Sequence, residues 1–410
     1  MTISFEPAPN SISAKSFYNT IAIEQMRPHS RTYDDNEGEV PTEWVNWWWE
    51  NGRHGSPGHI DGDSDGFIQV CMQAEELCFG DAALYLRMPT SALGGSAVGA
   101  AGTKEQKIRF LKRFNEEGGH PIWGAMAITE AQAGSDASAI ETTADFDPET
   151  EEWILNGQKI FCTAGKGSAT VEGGITVVWA TIDKEAGRGG IKSFVVPANT
   201  PGMTMVGCEK KLGIRASDTA TLHFENCRVP QDHLLGSAEV KRADPKKAGD
   251  KGFKGVLATF DASRPIVAAM AVGVGRASLD FVLEELSRRG VAIRYDAPPA
   301  ELTALERDVM EMEAELQAAR LLTWRAASLI SRGQPNNLEA SMSKAKAGLA
   351  VTKITQKAIA LMGAGGYSKK LLLEKWMRDA KINDIYEGTQ QINQLIVARR
   401  ILNYPSSMLR

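Results

Sequence analysis

The sequence predicts an α+β protein with a helical N-terminal domain, a central antiparallel β-barrel or sandwich, and a C-terminal helical bundle. Three observations lead to this prediction. Apolar residues recur at helical spacing from about residue 66 to 117. Short β-rich runs separated by Gly, Asp and Pro clusters occupy residues 123–229, and helical spacing returns after them. We therefore expect three domains, over residues 1–121, 122–237 and 238–410.

A tryptophan cluster marks the N-terminal domain. Four indoles lie between Trp44 and Trp49, inside a predicted short helix from about Thr42 to Asn51. Because exposed aromatic clusters are costly, we expect the indoles to pack against a neighbouring domain or subunit. The alternative is that they shape a pocket for a bulky substrate. Farther along, residues 91–102 are rich in small side chains, which is typical of closely packed helices or of the approach to a ligand.

The central domain shows one turn signal and several strand signals. Asn156-Gly157 lies between two apolar runs, and this dipeptide favours a two-residue hairpin turn. Further β-rich runs cover residues 175–182, 191–196 and 219–224. The alternation of such runs with turn residues predicts a compact antiparallel domain.

Start and stop signals divide the C-terminal region into helices. Proline is favoured in the first turn of a helix, Asn at the N-cap, and Gly or Pro just past the end. These signals predict helices that start at Pro265, run from about Leu302 to Ser331 before Gly333-Gln334-Pro335, run from Asn336 or Asn337 to about Met362, and run from about Gln391 to Ile401.

Composition and charge exclude several classes of function. The chain has 43% hydrophobic and 24% charged residues, and its net charge of −5 has both signs interspersed, which argues against nucleic-acid binding. The five cysteines have no metal-ligand spacing, so we expect no metal site and buried free thiols in a reducing compartment. The N-terminus has no basic-then-apolar signal and no run reaches the length of a membrane span. We therefore expect a cytoplasmic protein.

Residues 385–389, Ile-Tyr-Glu-Gly-Thr, place the Glu387 carboxylate on a Gly-Thr turn directly ahead of an apolar helix. A carboxylate on a flexible turn can swing toward a ligand and accept a proton, provided that the site excludes water and raises its pKa. The alternative is an ordinary helix start, because an acid followed by a Thr cap is favoured there. The pentapeptide alone leaves both interpretations open.

A second segment, residues 128–136, lies where apolar sequence gives way to small and polar residues. Small residues such as Gly134 let a backbone come close to a bulky ligand. The hydroxyls of Thr129 and Ser135 can bond ring or phosphate oxygens. The alternative is a strand-to-loop transition with a Ser-Asp turn.

The two segments together, in this order and at this separation, resemble the acyl-CoA dehydrogenase family. The resemblance extends over roughly residues 65 to 402, and the joint occurrence of its motifs is highly specific. Further segments that match the family are residues 102–107, 153–163, 212–219, 260–264 and 378–381.

The resemblance implies a tightly bound FAD and an acyl-CoA thioester held between the β-domain and the C-terminal bundle. The reaction would be α,β-dehydrogenation to the trans-2-enoyl-CoA, with Glu387 taking the pro-R α-proton while the β-hydride passes to flavin N5. A thioester α-proton is too weak an acid for a carboxylate in water, so the charge that develops on the thioester oxygen must be stabilised. In the family, the backbone N–H of the base and a ribityl hydroxyl of the flavin do so.

The resemblance also implies contacts residue by residue. Around the flavin ring, Ile128 and Thr129 fall at the pyrimidine edge, Thr163 falls beside N5, and Phe161 takes the place of the usual Trp. Gly134 falls at a close backbone approach, and Ser135 falls near the phosphates. Thr389 and Gln391 fall at the dinucleotide part of FAD. Substrate contacts fall on Phe260, Asp261 and Arg264, with Gly388 permitting the close approach of the thioester. For Phe161 and Phe260, plain core packing is the alternative.

Some positions depart from the family pattern. The usual Arg-x-x-Phe-Gly segment reaches the FAD of a neighbouring subunit. Here the corresponding residues, 288–299, leave open which arginine serves, and Thr303 stands where Gln is expected. Ala164 replaces a usual Asn, and residues 238–248 form an extra insert. Two explanations compete: a homotetramer with altered FAD contacts, which we favour, or a heterotetramer whose partner supplies the missing ones.

The main hypothesis is a dehydrogenase that passes electrons to an electron-transfer flavoprotein. Three alternatives are an acyl-CoA oxidase reoxidised by oxygen, a lyase-type relative without net oxidation, and a non-catalytic partner subunit of a heteromeric enzyme. The presence of Glu387 argues against the last two. Linear, branched, aromatic and polycyclic acyl groups all stay open as substrates.

Overall fold

The structure, a computed structural model, describes residues 9–52, 66–116, 119–240 and 254–404. Helices, then a sheet, then helices follow one another along the chain, which confirms the α+β class. Most of the insert at residues 238–248 lies outside the described residues. The N-terminal helices are α1 (Pro9–Ile21), α2 (Ser30–Asp35), α3 (Thr42–Trp47), α4 (Gly66–Arg87), α5 (Ala92–Ala101) and α6 (Lys104–Leu111).

The tryptophan cluster forms part of the N-terminal core. Helix α3 continues into a π-helical turn at Trp48–Gly52, so the predicted helix is confirmed. Trp44 and Trp48 are buried in one apolar cluster with residues of α4. The Trp44 indole donates from Nε1 to the Leu84 carbonyl at 2.9 Å. The same cluster includes residues of the C-terminal bundle, and Trp49 is buried in a second cluster with Ile175 and Val177 of the central domain. Three of the indoles are therefore buried in clusters that include a neighbouring domain, as the sequence predicts.

The elements of the central domain are β1 (Gly124–Ala127), β2 (Thr143–Asp147), β3 (Glu152–Thr163), α7 (Gly165–Thr170), β4 (Ile175–Thr181), β5 (Ile191–Pro197), β6 (Met203–Cys208) and β7 (Thr219–Pro230). The seven strands form a curled sheet in the order β1-β4-β2-β3-β7-β6, with β5 paired to β4. Most pairings are antiparallel, as predicted, but β1 and β2 each pair with β4 in parallel. This mixed pairing is a detail that the sequence did not indicate.

The predicted hairpin at Asn156-Gly157 is wrong, because β3 continues through both residues. Gly157 lies at a bulge in the pairing of β3 with β7 and has a φ of +147°. A Cβ at this position would lie 2.5 Å from the Thr142 Oγ1 atom. The glycine is therefore needed for a bulge and a close backbone approach, which use the same residue type as a hairpin turn.

Helix α8 (Lys254–Arg288) runs through Pro265, so the prediction that a helix begins there is also wrong. Proline has no N–H to donate to the carbonyl four residues earlier, which here belongs to Asp261. The Asn336 Nδ2 donates to that carbonyl at 2.8 Å instead. The C-terminal elements are α8 (Lys254–Arg288), α9 (Ala304–Ser331), α10 (Asn337–Met362), α11 (Ala364–Tyr367), α12 (Leu373–Ala380) and α13 (Gln390–Leu402).

Thr303, which stands where the family has Gln, has a local structural role. The Thr303 hydroxyl accepts a hydrogen bond from the Glu306 N–H at 3.2 Å, and the Glu306 carboxylate accepts one from the Thr303 N–H at 2.8 Å. This reciprocal pair is a capping box at the start of α9. At the other end of α9, Gly333 adopts a φ of +64°, as expected for the predicted stop.

Helix α8 corrects one further expectation. Residues 258–288 have the length and apolar composition of a membrane span, although most of the stretch is buried by other parts of the protein, as in the core helix of a bundle.

All five cysteines are free and four are buried, but Cys208 is exposed, contrary to the prediction. No cluster of metal ligands occurs within the four described ranges.

Candidate active site

Residues 385–389 form a tight turn ahead of α13, which we call the base turn. Glu387 has a φ of +57° and Gly388 a φ of +87°, so two successive residues adopt the left-handed conformation. This conformation costs a non-glycine residue about 1–2 kcal/mol, and such strain concentrates at functional sites. The Thr389 hydroxyl accepts a hydrogen bond from the Ile392 N–H at 3.2 Å, so the alternative role of this residue as a helix cap is also real.

The Glu387 carboxylate accepts a hydrogen bond at Oε2 from the Ser263 hydroxyl, at 2.6 Å. The residue keeps some accessible surface, but protein atoms crowd its carboxyl group. This burial raises the pKa of Glu387 above its ordinary value of 4.5, while the Ser263 hydrogen bond and the charges of Arg264 and Lys344 limit the rise. A carboxylate with a raised pKa is a stronger base once it is deprotonated.

Three side chains from three helices hold the backbone of the base turn. Arg264 Nε of α8 donates to the Glu387 carbonyl at 3.3 Å. Lys344 Nζ of α10 and Asn393 Nδ2 of α13 both donate to the Gly388 carbonyl, at 2.6 and 2.8 Å. Only Arg264 was identified from the sequence, because Lys344 and Asn393 lie outside the matching motifs. Their one signal is that each is a polar residue on the buried face of a helix.

Three of the four predicted substrate residues lie together on α8, beside the base turn, which carries the fourth, Gly388. Arg264 Nη1 is 3.4 Å from Asp261 Oδ1, and Arg264 Cζ is 5.6 Å from the centroid of the Phe260 ring. Burial raises the pKa of Asp261, although Asn337 opposes the rise by donating to Oδ1 at 2.7 Å. Phe260, Asp261 and Arg264 therefore lie close together, and Arg264 connects the group to Glu387.

The cofactor candidates of the β-domain form a second group. The Thr129 carbonyl accepts from the Ile160 N–H at 2.9 Å, so the segment after β1 runs beside the end of β3. In β3, Phe161 has a φ of +56° and leaves 59% of its surface exposed. Thr163, two residues later, is half-buried.

The loop after Thr129 is open on one side. Gly134 and Ser135 are exposed, and a Cβ added to Gly134 would meet no atom within 4 Å. Ile128, by contrast, is buried in an apolar cluster of the β-domain. Of the predicted contacts in this segment, Ile128 thus offers only its backbone, whereas Thr129 and Ser135 offer side-chain hydroxyls as well.

A buried ion pair fixes the same loop. Lys159 Nζ lies 2.6 Å from Glu130 Oε1 and also donates to the Ile128 carbonyl at 3.2 Å. The Glu130 carboxylate further accepts from the N–H groups of Glu141 and Thr142, at 2.7 and 3.0 Å. These contacts outweigh burial and lower the pKa of Glu130 to about 2. Both partners belong to matching segments, but no sequence pattern indicated that they pair.

These features fit a bound flavin. The exposed ring of Phe161 on a strained backbone offers a face for stacking against a flat ring, and the Thr163 hydroxyl offers a polar contact at the edge of that ring. Phe260 connects this group to the base turn, because it packs against the apolar cluster that contains Ile128 and also lies under Arg264.

The predicted contacts to the dinucleotide part of FAD have less support in the structure than those to the flavin ring. Thr389 uses its hydroxyl as a helix cap, and Gln391 is exposed in the first turn of α13.

The arginines of residues 288–299, the segment that departs from the family pattern, form ion pairs within the chain. Arg294 Nε lies 2.6 Å from Glu306 Oε1. The two other arginines of that segment pair with glutamates of α8. All three therefore have acidic partners in the same chain.

Each of the three parts of this architecture matches a domain model of one known family. Models of the acyl-CoA dehydrogenase N-terminal, middle and C-terminal domains match residues 15–117, 125–227 and 250–402. The mitochondrial short-chain specific acyl-CoA dehydrogenase of Bos taurus is 39% identical over 301 residues, which cover 73% of this chain and 67% of that protein.

Solved structures share the fold over nearly the full chain. The structure of butyryl-CoA dehydrogenase from Megasphaera elsdenii is 28% identical, with a TM-score of 0.83, and covers 98% of this chain and 100% of that one. A chain from a structure described as the electron transferring flavoprotein of Acidaminococcus fermentans is 29% identical, with a TM-score of 0.84 and the same coverage.

Proposed function

The chain belongs to the acyl-CoA dehydrogenase family, and from this premise we propose that it oxidises an acyl-CoA thioester to the trans-2-enoyl-CoA with Glu387 as the base. Members of the family are FAD-dependent oxidoreductases. The observation that carries the proposal is the base turn, in which a carboxylate of raised pKa stands on a left-handed backbone beside Ser263 and Arg264.

In this mechanism the carboxylate of Glu387 accepts the α-proton of the thioester. The acyl chain expels water as it binds, which raises the pKa of Glu387 further and makes it a better base. The backbone N–H of Glu387 donates to the thioester oxygen, where negative charge develops. When bound, FAD supplies the acceptor for the hydride that leaves the β-carbon.

The remaining residues hold the two ligands. Arg264 and Asp261 bind and orient the acyl-CoA, with Phe260 as an apolar wall and Gly388 leaving room for the thioester. Their support is the cluster that these side chains form around the base turn. The FAD contacts fall on Ile128, Thr129, Gly134, Ser135, Phe161, Thr163, Thr389 and Gln391.

The electron acceptor, the assembly and the location of the enzyme are further proposals. We infer that electrons leave for an electron-transfer flavoprotein, and that the enzyme is a cytoplasmic homotetramer. The resemblance to acyl-CoA dehydrogenases and to a chain of an electron transferring flavoprotein structure supports the first inference. The acyl group itself stays open, because the similar proteins are named for different acyl-CoA substrates.

A panel of acyl-CoAs tests the function directly. The purified, FAD-loaded chain is mixed without air with saturated linear, branched and aromatic acyl-CoAs, and the visible absorbance of the flavin is followed. We expect at least one acyl-CoA to bleach the flavin and to yield the matching enoyl-CoA. Free CoA, which has no α,β-bond to oxidise, serves as the control. A loaded protein that no acyl-CoA bleaches would contradict the proposal.

A further inference from the structure

Lys344 is a buried lysine of α10 to which the proposed mechanism assigns no role. The residue is only 1% exposed, and its Nζ donates to the Gly388 carbonyl at 2.6 Å. Burial of an ammonium group is costly unless the group is well bonded. Lys344 bears this cost while it contacts the backbone next to the candidate base. This position indicates a functional role for the residue.

We propose that Lys344 is a positioning residue for the base, which holds the base turn in its left-handed geometry and contributes a positive charge beside the Glu387 carboxylate. The inference deepens the proposed function and rests on Glu387 being the base. It concerns only residues of this chain, and no contact between Lys344 and FAD or substrate is part of it.

The geometric argument concerns two successive carbonyl groups. The Glu387 carbonyl accepts from Arg264, and the Gly388 carbonyl accepts from both Lys344 and Asn393. With these acceptors fixed, the peptide planes that follow the base cannot rotate freely, so φ values of +57° and +87° are retained. A left-handed non-glycine residue relaxes unless its surroundings hold it. Lys344 makes the shortest of the three contacts.

The electrostatic argument concerns the charges that face Lys344. Burial lowers the pKa of Lys344 to about 8, the nearby Glu387 and Asp384 carboxylates oppose this fall, and Arg264 adds to it. At neutral pH the ammonium form therefore prevails. In return, the Lys344 charge holds down the pKa of Glu387, together with Ser263 and Arg264. Loss of this charge should make Glu387 harder to deprotonate.

The test compares two variants with a matched control. Lys344→Met removes both the donor and the charge, whereas Lys344→Gln keeps a donor without the charge. Lys346→Met is the control, because Lys346 lies on the same helix but is half-buried and paired with Glu315 at 2.8 Å. For each FAD-loaded protein, kcat, KM, the pH profile of kcat/KM and the amide hydrogen exchange of residues 385–393 without substrate are measured.

For Lys344→Met we expect kcat to fall about 10-fold or more, as for a displaced catalytic group, with KM changed less than about twofold. The acid limb of the pH profile should move upward by about one pH unit, the effect of removing one nearby opposite charge. Amide exchange in the base turn should become faster. Lys344→Gln should move the acid limb with a smaller change in exchange, and Lys346→Met should match the parent.

Two results would overturn the inference. One is a Lys344→Met enzyme with the parent's acid limb and the parent's exchange in the base turn. The other is loss of FAD from both Lys344 variants, which would make Lys344 a residue of the fold rather than of the base turn. Neither result touches the proposed function, which fails separately if Glu387→Gln keeps the parent's rate of flavin bleaching.

Discussion

Glu387 combines two opposing influences at a single residue. Burial raises the pKa of its carboxyl group, while a serine hydroxyl and two cations pull the pKa down. A base needs both, because a carboxyl group with too high a pKa stays protonated and one with too low a pKa accepts protons weakly. The left-handed backbone of the base turn adds strain that regular secondary structure would not impose.

Ser263→Ala tests the balance at Glu387. Because the Ser263 hydroxyl stabilises the charged form, its loss should raise the pKa of Glu387 further. The base must be deprotonated to act, so activity rises with pH through this pKa. We expect the acid limb of kcat/KM to lie above pH 4.5 in the parent and higher still in the variant.

Ser278→Ala is the matched control for this prediction. Ser278 is buried on the same helix, and its hydroxyl donates to the Val274 carbonyl at 3.3 Å. We expect the acid limb of Ser278→Ala to coincide with that of the parent. If Ser263→Ala also coincided with the parent, the serine would have no part in tuning the base.

At the scale of elements, a buried ion pair and the hydrogen bonds of Glu130 hold the loop after β1. Glu130 and Lys159 are buried together and tie residues 128–142 to β3. The loop carries four of the predicted FAD contacts, among them Thr129 and Ser135. The pair therefore links the stability of the β-domain to the shape of the cofactor site.

Glu130→Gln should destabilise the protein, because it leaves the Lys159 ammonium buried without its carboxylate. We expect the free energy of unfolding at pH 7 to fall by about 3 kcal/mol, measured by denaturant titration. Glu141→Gln, an exposed substitution in the same segment, should change it by less than about 0.5 kcal/mol.

The pH dependence of this difference has a definite sign. The folded-state pKa of Glu130, about 2, is below its ordinary value of 4.5. The stabilisation is therefore fully present above pH 4.5 and is lost as the pH falls toward 2. The gap between parent and Glu130→Gln should close over that range, and a gap that stayed constant would contradict the ion-pair account.

Pro265, inside α8, leads to a second prediction at the scale of elements. Asn336→Ala should lower the free energy of unfolding by about 1–3 kcal/mol, because it leaves the partly buried Asp261 carbonyl without a donor. In a Pro265→Ala background, position 265 regains an N–H that can bond this carbonyl within the helix. Asn336→Ala should then cost less than in the parent.

A double-mutant cycle of Asn336→Ala and Pro265→Ala measures this coupling. Each of the four proteins is unfolded with denaturant under the same conditions. An equal cost of Asn336→Ala in both backgrounds would mean that the asparagine stabilises the fold by some route other than the carbonyl that proline frees.

For the whole molecule, the sequence predicted more of the fold than of the contacts within the site. The α+β class and the long helices could be predicted because apolar periodicity and caps are local signals. Gly157 and Pro265 were misassigned because a bulge and a compensated proline depend on Thr142 and Asn336, which only folding brings near. Lys344 was missed for the same reason, since its partner, the Gly388 carbonyl, lies 44 residues away in the base turn.

The chain expressed alone should purify with bound FAD. The predicted contacts of one chain include a ring wall, edge hydroxyls and the base turn, so we expect a yellow protein with the visible absorbance of a flavin. Denaturation and quantification of the released FAD give the amount per chain. A colourless protein that binds FAD only after a second, different chain is added would favour the heteromeric alternative.

The central claim is that Glu387 removes the α-proton of an acyl-CoA. Glu387→Gln keeps the size of the side chain and one oxygen that can accept from Ser263 but cannot act as a base, and its bound FAD should be unchanged. The direct measurement is the single-turnover rate at which an acyl-CoA that reduces the parent bleaches the flavin of the variant. We expect that rate to fall by about 10²–10⁴-fold. A rate close to that of the parent would show that another group acts as the base.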